Sequence, residues 1–208
     1  MSGDYETLAK NQPDIYYTKS SSNMKQIFSN QFYYHYRMPD FDLLKERLNT
    51  VQKFDDSDFT WGDLCKVERD AYNVNDFFDI LVKPVGMLSG QLGVKFNAKI
   101  SHPWLNRYDR GGFQEIHYHD DCDIAAVVFL NDGEDFSKFY FWDSNHTAFT
   151  KPWIKILTQM KLSNIYYPEV KAGDVLLFPS HMLHGVSPHN SDIIRKTFSF
   201  NVIVTNVE

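Results

Sequence analysis

The sequence has few cysteines and no excess of basic residues. Its two cysteines, Cys65 and Cys122, are too few for a disulfide framework in 208 residues, so we expect ordinary reduced thiols and a reducing compartment. The formal net charge of −6 argues against a surface that binds nucleic acid. These features exclude a disulfide-rich secreted scaffold and a nucleic-acid-binding protein.

Long apolar segments are also missing. No run of about 18 apolar residues occurs, so we expect no membrane-spanning helix. Residues 1–7 lack the basic and apolar regions of a secretory leader, and the expected location is the cytoplasm. A chain that is 43% hydrophobic can form one core of good size but is short for two. Residues 1–208 are therefore interpreted as a single domain.

Residues 1–93 are expected to support a core formed by residues 94–208. Residues 1–30 are polar and should be loosely held unless an edge strand recruits them, whereas the aromatic run 32–36 favours a strand. The apolar spacing within residues 41–51 predicts a short amphipathic helix.

The rest of this supporting part divides into an acidic and an apolar segment. The acidic residues in the segment 52–73 are interpreted as a solvated connection without a functional role. The apolar residues between 75 and 92 predict a second helix, which Pro84 should kink or interrupt.

Short β-type runs follow Gly93, separated by turn residues. The predicted strands cover residues 94–100, 104–108, 114–119, 124–130, 138–142, 175–178 and 195–204. Strands at this spacing predict a mainly β fold, a sandwich or jelly roll with flanking amino-terminal helices. Residues 143–170 form a long insertion, which is expected to be a binding loop or lid, or else a contact in a homodimer.

Two histidines mark the end of the third predicted strand. Side chains alternate between the faces of a strand, so His117 and His119 should project the same way while Tyr118 points oppositely. Two imidazoles on one face can clamp a first-row metal ion. Such pairs also occur by chance in exposed strands, so the interpretation depends on further ligands.

A third histidine and an arginine follow at a distance. The sequence Gly-Asp-Val-Leu-Leu-Phe-Pro-Ser-His-Met-Leu-His brings an apolar strand up to His184, and Arg195 begins another strand eleven residues later. Along that strand Arg195, Thr197, Ser199 and Asn201 share one face. A polar face with a leading arginine suits a buried carboxylate held by two parallel hydrogen bonds.

The remaining histidines are not expected to bind metal. His181 is close enough to His184 to contact a ligand, while His102, His146 and His189 lie beside prolines or turns and should be exposed loop residues. His35 is expected to pack within the aromatic run.

Together these motifs resemble the iron(II)- and 2-oxoglutarate-dependent oxygenases, whose pattern is His-x-Asp/Glu, a distal His, and an Arg or Lys about ten residues later. The closer similarity is to a small bacterial and phage group that reads His-x-His, then Gly-Asp-x-x-x-Phe-Pro-Ser-x-x-x-His, then Arg and Ser-Phe-Asn. The resemblance covers roughly residues 94–204. The spacing of Tyr108 and Gly111 before His117 is also similar to the prolyl hydroxylase-like pattern.

The resemblance implies a double-stranded β-helix, which is a jelly roll, and an enzyme with two small partners. Fe(II) would be bound by His117, His184 and a third ligand, and 2-oxoglutarate would be the cosubstrate. Arg195 and Thr197 would hold its far carboxylate, with Tyr108, Asn106 and Ser199 beside them. The enzyme would convert 2-oxoglutarate to succinate and CO2 while hydroxylating a peptidyl residue or a small metabolite.

The third ligand is where this sequence departs from the superfamily. His119 occupies the register at which a carboxylate is usual, and we favour it as the ligand. Asp121 is the alternative, but Asp120-Asp121-Cys122-Asp123 has the composition of a strand end.

Two other classes of protein remain open at this stage. A cupin-type enzyme with three histidines would use the same barrel and metal without 2-oxoglutarate, and would not need Arg195. A non-catalytic jelly roll that binds or supports other molecules would have no use for converging histidines.

Overall fold

The computed structural model describes residues 23–28, 31–53, 65–144 and 163–207. Most of the polar amino-terminal segment, much of the acidic segment and His146 within the long insertion lie outside the described residues. Within the described part of the chain, twelve β-strands form two antiparallel sheets, accompanied by two α-helices and one 3-10 helix. None of the described helices is long and apolar enough to cross a membrane.

The elements follow one another along the chain in this order: β1 (Met24–Phe28), β2 (Gln31–Arg37), α1 (Phe41–Thr50), β3 (Val67–Ala71), the 3-10 helix (Val74–Asp76), α2 (Phe78–Leu92), β4 (Phe96–Ile100), β5 (Trp104–Tyr108), β6 (Gln114–His117), β7 (Ile124–Phe129), β8 (Phe139–Trp142), β9 (Ile165–Tyr166), β10 (Asp174–Pro179), β11 (His184–Val186) and β12 (Arg195–Val207).

The larger sheet has the strand order β1-β2-β10-β7-β12-β5-β3, and β4 pairs with the later part of β12. The smaller sheet has the order β6-β11-β8-β9. Two antiparallel sheets with helices on one side confirm the predicted mainly β jelly roll. Strands β1, β2 and β3 come from the amino-terminal part of the chain, so that part completes the larger sheet.

The larger sheet separates two apolar clusters. One cluster joins α2 to the sheet and includes the fully buried Ile80, Phe198 and Phe200. The other fills the space between the two sheets and includes Phe141 and Phe178. The alternation of side chains along each strand explains this division, because consecutive residues face opposite clusters.

Pro84 does not interrupt the second predicted helix. Helix α2 continues through Pro84, which is buried with its neighbours Ile80, Leu81, Val85 and Leu88 on the sheet side. Tertiary packing of this face outweighs the hydrogen bond that proline cannot donate.

The acidic segment contains a strand, β3, which pairs with β5. Its Asp70 is not simply solvated, because this carboxylate is largely buried and forms ion pairs with Lys53 and Arg107. Burial alone would raise the pKa of Asp70, but its bonds to these two cations lower it. The charges of the segment therefore hold an edge strand in place.

A buried carboxylate fastens β2 to the start of β10. Asp174 accepts hydrogen bonds from Arg37 Nη1 at 2.7 Å and from the backbone N–H of Lys171 at 2.9 Å, and its Oδ2 lies 3.0 Å from His35 Nε2. His35 thus has a polar partner rather than the purely aromatic surroundings that were predicted. Gly173, at φ 85°, adopts the left-handed conformation that glycine tolerates best.

The pKa of Asp174 has two opposing causes. Burial raises it, but the hydrogen bonds from Lys171, Arg37 and His35 outweigh burial, and the carboxyl titrates below its usual range. A lowered pKa in the folded state means that the charged carboxylate stabilises the fold above the unfolded pKa of about 3.9. This stabilisation is lost as the pH falls through the lower, folded value.

We expect Asp174→Asn to lower the free energy of unfolding at neutral pH by about 1–3 kcal/mol, because charge-assisted hydrogen bonds become neutral ones. The difference from the wild type should shrink as the pH falls below about 3.9, where the unfolded carboxyl becomes neutral, and should vanish below the lower pKa of the folded carboxyl. Urea unfolding at pH 7 and pH 3 measures both effects. Asp192→Asn is the control, because the Asp192 carboxylate is exposed beside Arg110. Equal losses in the two variants at pH 7 would contradict the anchoring role.

Candidate metal centre and cosubstrate cavity

Antiparallel pairing of β6 with β11 brings the first and last candidate ligands together. His184 lies directly opposite His117 in this pair, and the two ring centroids are 4.2 Å apart. Strand β11 also pairs with β8 on its other side, which fixes its position in the smaller sheet. The sequence signal for β11 was weak because the strand has only three residues.

His119 reaches the same place without being part of a strand. Strand β6 ends at His117, two residues earlier than predicted. The backbone N–H of His119 instead donates to the carbonyl of Ser180 at 3.0 Å, and the backbone N–H of Ser180 donates to Asp123 at 3.0 Å. These bonds hold the His119 ring 5.2 Å from that of His117 and 5.3 Å from that of His184.

The three imidazoles each offer one nitrogen to a common point. The ligand atoms of His117, His119 and His184 all lie within 4.8 Å of one another. The Nδ1 atoms of His117 and His184 each lie 2.8 Å from a backbone carbonyl, those of Glu115 and Met182. Because a carbonyl can only accept, Nδ1 carries the proton in both rings and Nε2 keeps its lone pair for a metal.

The surroundings keep two of these imidazoles neutral. Complete burial holds the pKa of His184 well below its usual value, and the neighbouring rings of His117 and His119 act in the same direction. Burial also lowers the pKa of His119, although the nearby carboxylates of Asp121 and Asp120 partly oppose this effect. Neutral imidazole is the form that binds a metal ion.

Other candidate ligands lie elsewhere. Asp121 is exposed and does not belong to the histidine cluster, which makes His119 the better third ligand in the described residues. His102 is exposed, as predicted, and His181, which was expected to lie close enough to contact a ligand, is exposed as well. The prediction for His189 was wrong: this ring is fully buried, accepts from the backbone N–H of Ser137 at 3.1 Å and bonds to the carbonyl of Ile193 at 2.8 Å.

A cavity between the two sheets contains the cluster and the polar face of β12. The predicted residues that line it are His117, His119, His184, Asn106, Tyr108, Arg195, Thr197 and Ser199. Asn201, Trp104, Arg69, Gln114, Phe139 and Phe178 also line it, and only the shared face of Asn201 could be inferred from the sequence. No carboxylate lines the cavity among the described residues.

Arg195 is the cation of this cavity that lies furthest from solvent. Its side chain is 4% exposed, and its guanidinium carbon lies 4.9 Å from the ring centre of Tyr108 and 5.7 Å from that of Phe129. Burial lowers its pKa, which the phenol of Tyr108 partly opposes, but an arginine remains charged at neutral pH. Its Nη1 has no hydrogen-bond partner.

Two hydroxyl groups extend the polar face from Arg195 towards the histidines. Asn106 Nδ2 donates to Thr197 Oγ1 and to Ser199 Oγ, both at 3.3 Å. Because both hydroxyl oxygens accept from Asn106, the proton of Ser199 remains able to donate to a ligand in the cavity, whereas Thr197 also has Tyr108 as a hydrogen-bond partner.

These residues fit an iron ion and an anionic cosubstrate. Three converging imidazoles suit a first-row divalent metal. A buried guanidinium with an unused N–H, next to hydroxyl donors, suits a carboxylate. The fold and the site together define a non-haem iron and 2-oxoglutarate-dependent oxygenase.

Comparison with known families agrees with this class. Residues 102–201 match the model of a family described as "Putative 2OG-Fe(II) oxygenase", so this part of the chain is similar to the 2-oxoglutarate- and iron-dependent oxygenases. No curated protein matches the chain in sequence.

Solved structures share the fold at low sequence identity. HygX from Streptomyces hygroscopicus with nickel, 2-oxoglutarate and hygromycin B has a TM-score of 0.59 and 14% identity over 86% of this chain and 85% of its own. A Pseudomonas putida prolyl-4-hydroxylase has a TM-score of 0.52 and 14% identity, and the match covers 84% of this chain and 93% of its own. The viral collagen prolyl hydroxylase from Paramecium Bursaria Chlorella virus-1 has a TM-score of 0.53 and 11% identity, and the match covers 82% of this chain and 94% of its own.

We expect His119→Ala to abolish stoichiometric Fe(II) binding, as His117→Ala should, because either change removes one of three converging nitrogens. Asp121→Ala should retain the metal and lose at most some activity. Anaerobic equilibrium dialysis followed by iron analysis measures the stoichiometry, and His181→Ala is the matched control on an exposed histidine. Metal loss in Asp121→Ala with retention in His119→Ala would instead support a conventional site with two histidines and one carboxylate.

Proposed function

We propose that His117, His119 and His184 hold Fe(II) and that Arg195 holds the far carboxylate of 2-oxoglutarate in an enzyme that hydroxylates its substrate. The observation that carries this proposal is the presence, in one cavity, of three converging imidazoles and a buried guanidinium whose Nη1 has no partner. A buried cation with an unused donor is costly unless an anion binds it.

Each residue of the cavity has a separate task in this proposal. Arg195 binds the distal carboxylate with its planar fork, while the hydroxyl groups of Thr197 and Ser199 donate to the cosubstrate. The bound metal and cosubstrate together supply the oxidation, in which dioxygen converts 2-oxoglutarate to succinate and CO2 and hydroxylates a C–H bond. The apolar rings of Phe139 and Phe178 exclude water from the reacting centre.

A three-histidine, cupin-type enzyme without 2-oxoglutarate is the second candidate. The observation that favours it is His119, since the superfamily usually has a carboxylate at this position. The cupin-type alternative leaves the burial of Arg195 unexplained, because such an enzyme has no anionic cosubstrate for this arginine to bind.

The substrate is left open between a peptidyl residue and a small metabolite. One similar structure contains hygromycin B and two others are named as prolyl hydroxylases. These names support both classes of substrate equally. A cytoplasmic location, a homodimer and a lid formed by residues 143–170 stay predictions.

Anaerobic addition of Fe(II) and 2-oxoglutarate should give a weak visible charge-transfer band, because the proposed site would bind 2-oxoglutarate next to the Fe(II) ion. The band should require both components, and succinate should form when air is admitted. Titration in an anaerobic cuvette provides the measurement. A protein that binds iron but shows neither the band nor 2-oxoglutarate binding would be a cupin-type enzyme or a binding module.

Arg195→Ala should weaken 2-oxoglutarate binding by about 30-fold to several thousand-fold, since losing the partner of a buried charge costs about 2–5 kcal/mol. Iron content should remain nearly intact, and Arg195→Lys should be intermediate because an ammonium lacks the planar fork. Titration of the visible band gives the affinities, with Lys196→Ala as the control on the exposed neighbour. An unchanged affinity in Arg195→Ala would mean that another cation, such as Arg69 on the cavity wall, holds the carboxylate.

A further inference from the structure

Few buried polar atoms in the described residues lack a hydrogen-bond partner. They are Gln31 Oε1, Ser137 Oγ, Arg195 Nη1 and Asn201 Oδ1. Two of these atoms, on Arg195 and Asn201, belong to side chains that line the cavity of the histidine cluster. The proposed function gives Arg195 a partner, but it leaves the carboxamide oxygen of Asn201 without one.

Asn201 lies at the metal end of the cavity. It follows Arg195 by six residues on the same face of β12, which corresponds to about 20 Å along a strand. Across the sheet it lies opposite Ala125, which in turn lies opposite Phe178. The ring of Phe178 is 4.8 Å from that of His184, so Asn201 and the histidine cluster are at the same level.

The cosubstrate cannot account for this acceptor. If the proposed function holds, 2-oxoglutarate extends from the metal towards Arg195, and therefore away from the row that contains Asn201. Its carboxylates are also acceptors, and they cannot donate to Oδ1. A donor group on the substrate would supply the missing partner.

The cavity also limits the charge of that donor. An ammonium group buried here would need a carboxylate partner, and none lines the cavity among the described residues. A neutral N–H or O–H group satisfies a carboxamide oxygen without adding charge. The small residue Ala125 lies opposite Asn201 in the sheet and lines the same cavity.

We propose that Asn201 is a substrate-orienting residue, whose carboxamide oxygen accepts a hydrogen bond from a neutral amide N–H or hydroxyl group next to the C–H bond that is oxidised. This assignment rests on the proposed function. It selects amides and alcohols over amines with a positive charge as the reacting part of the substrate.

The test uses manganese(II), which occupies such sites and speeds the relaxation of protons on molecules bound close to it. The full-length protein is loaded with manganese(II) and saturating 2-oxoglutarate, and binding of both is verified first. Two small probes are then compared by proton relaxation: N-methylacetamide, which has one N–H donor, and N,N-dimethylacetamide, which has none.

The wild type should favour N-methylacetamide by about 2- to 10-fold, the effect of one ordinary hydrogen bond. Asn201→Val should lose this preference, whereas Asn201→Thr should retain part of it, because threonine has the shape of valine but keeps an acceptor oxygen. Thr205→Val is the matched control: it removes a hydroxyl group from the exposed end of the same strand, outside the cavity, and should leave the preference unchanged. Thermal unfolding verifies that all variants fold.

Equal relaxation of the two probes in the wild type, or a preference that persists in Asn201→Val, would overturn the assignment of Asn201 alone. Failure to bind manganese(II) or 2-oxoglutarate, observed before any probe is added, would overturn the proposed function and this assignment together.

Discussion

The alternation of side chains along β12 is the constraint on which both the core and the site depend. This strand pairs with β4, β5 and β7 near the centre of the larger sheet. Its odd-numbered residues from Arg195 to Asn201 face the cavity, while Phe198 and Phe200 face the helices. A shift of one residue in register would bury the arginine against α2 and turn phenylalanine towards the histidines. Fold and site are therefore specified by the same hydrogen-bond register.

This arrangement places an unusual number of polar groups inside the protein. Arg195, Thr197, Ser199 and Asn201 are all at least nine-tenths buried, and two of them have an atom without a partner. Each unsatisfied buried group costs about 1–3 kcal/mol, so apolar packing elsewhere must offset the cost. The two aromatic-rich clusters on either side of the larger sheet provide that packing. Such a balance is typical of sites that become satisfied only when their ligand binds.

The sequence predicted those features that depend on local periodicity. Strand β5, the polar face of β12 and helix α1 follow directly from alternating or helical patterns, and the convergence of His117 with His184 follows from their motifs.

Features that depend on tertiary contacts were missed. Strand β3 was hidden by its charges because Asp70 is paired with Arg107, and the burial of His189 depends on backbone partners that its neighbouring prolines and turns do not reveal. The position of His119 was predicted correctly, but from strand alternation. In the structure His119 lies in a loop after the strand, and a hydrogen bond to Ser180 holds it there.

His119 changes the charge of the cavity as well as its ligand set. A dication held by three neutral imidazoles keeps its full charge, which a 2-oxoglutarate dianion can offset, whereas a carboxylate ligand would leave an excess of negative charge at the metal. The acidic groups near His119, Asp120 and Asp121, are exposed, so solvent screens their effect. Asn201 lines the same cavity and is uncharged, so it adds no negative charge beside the three histidines.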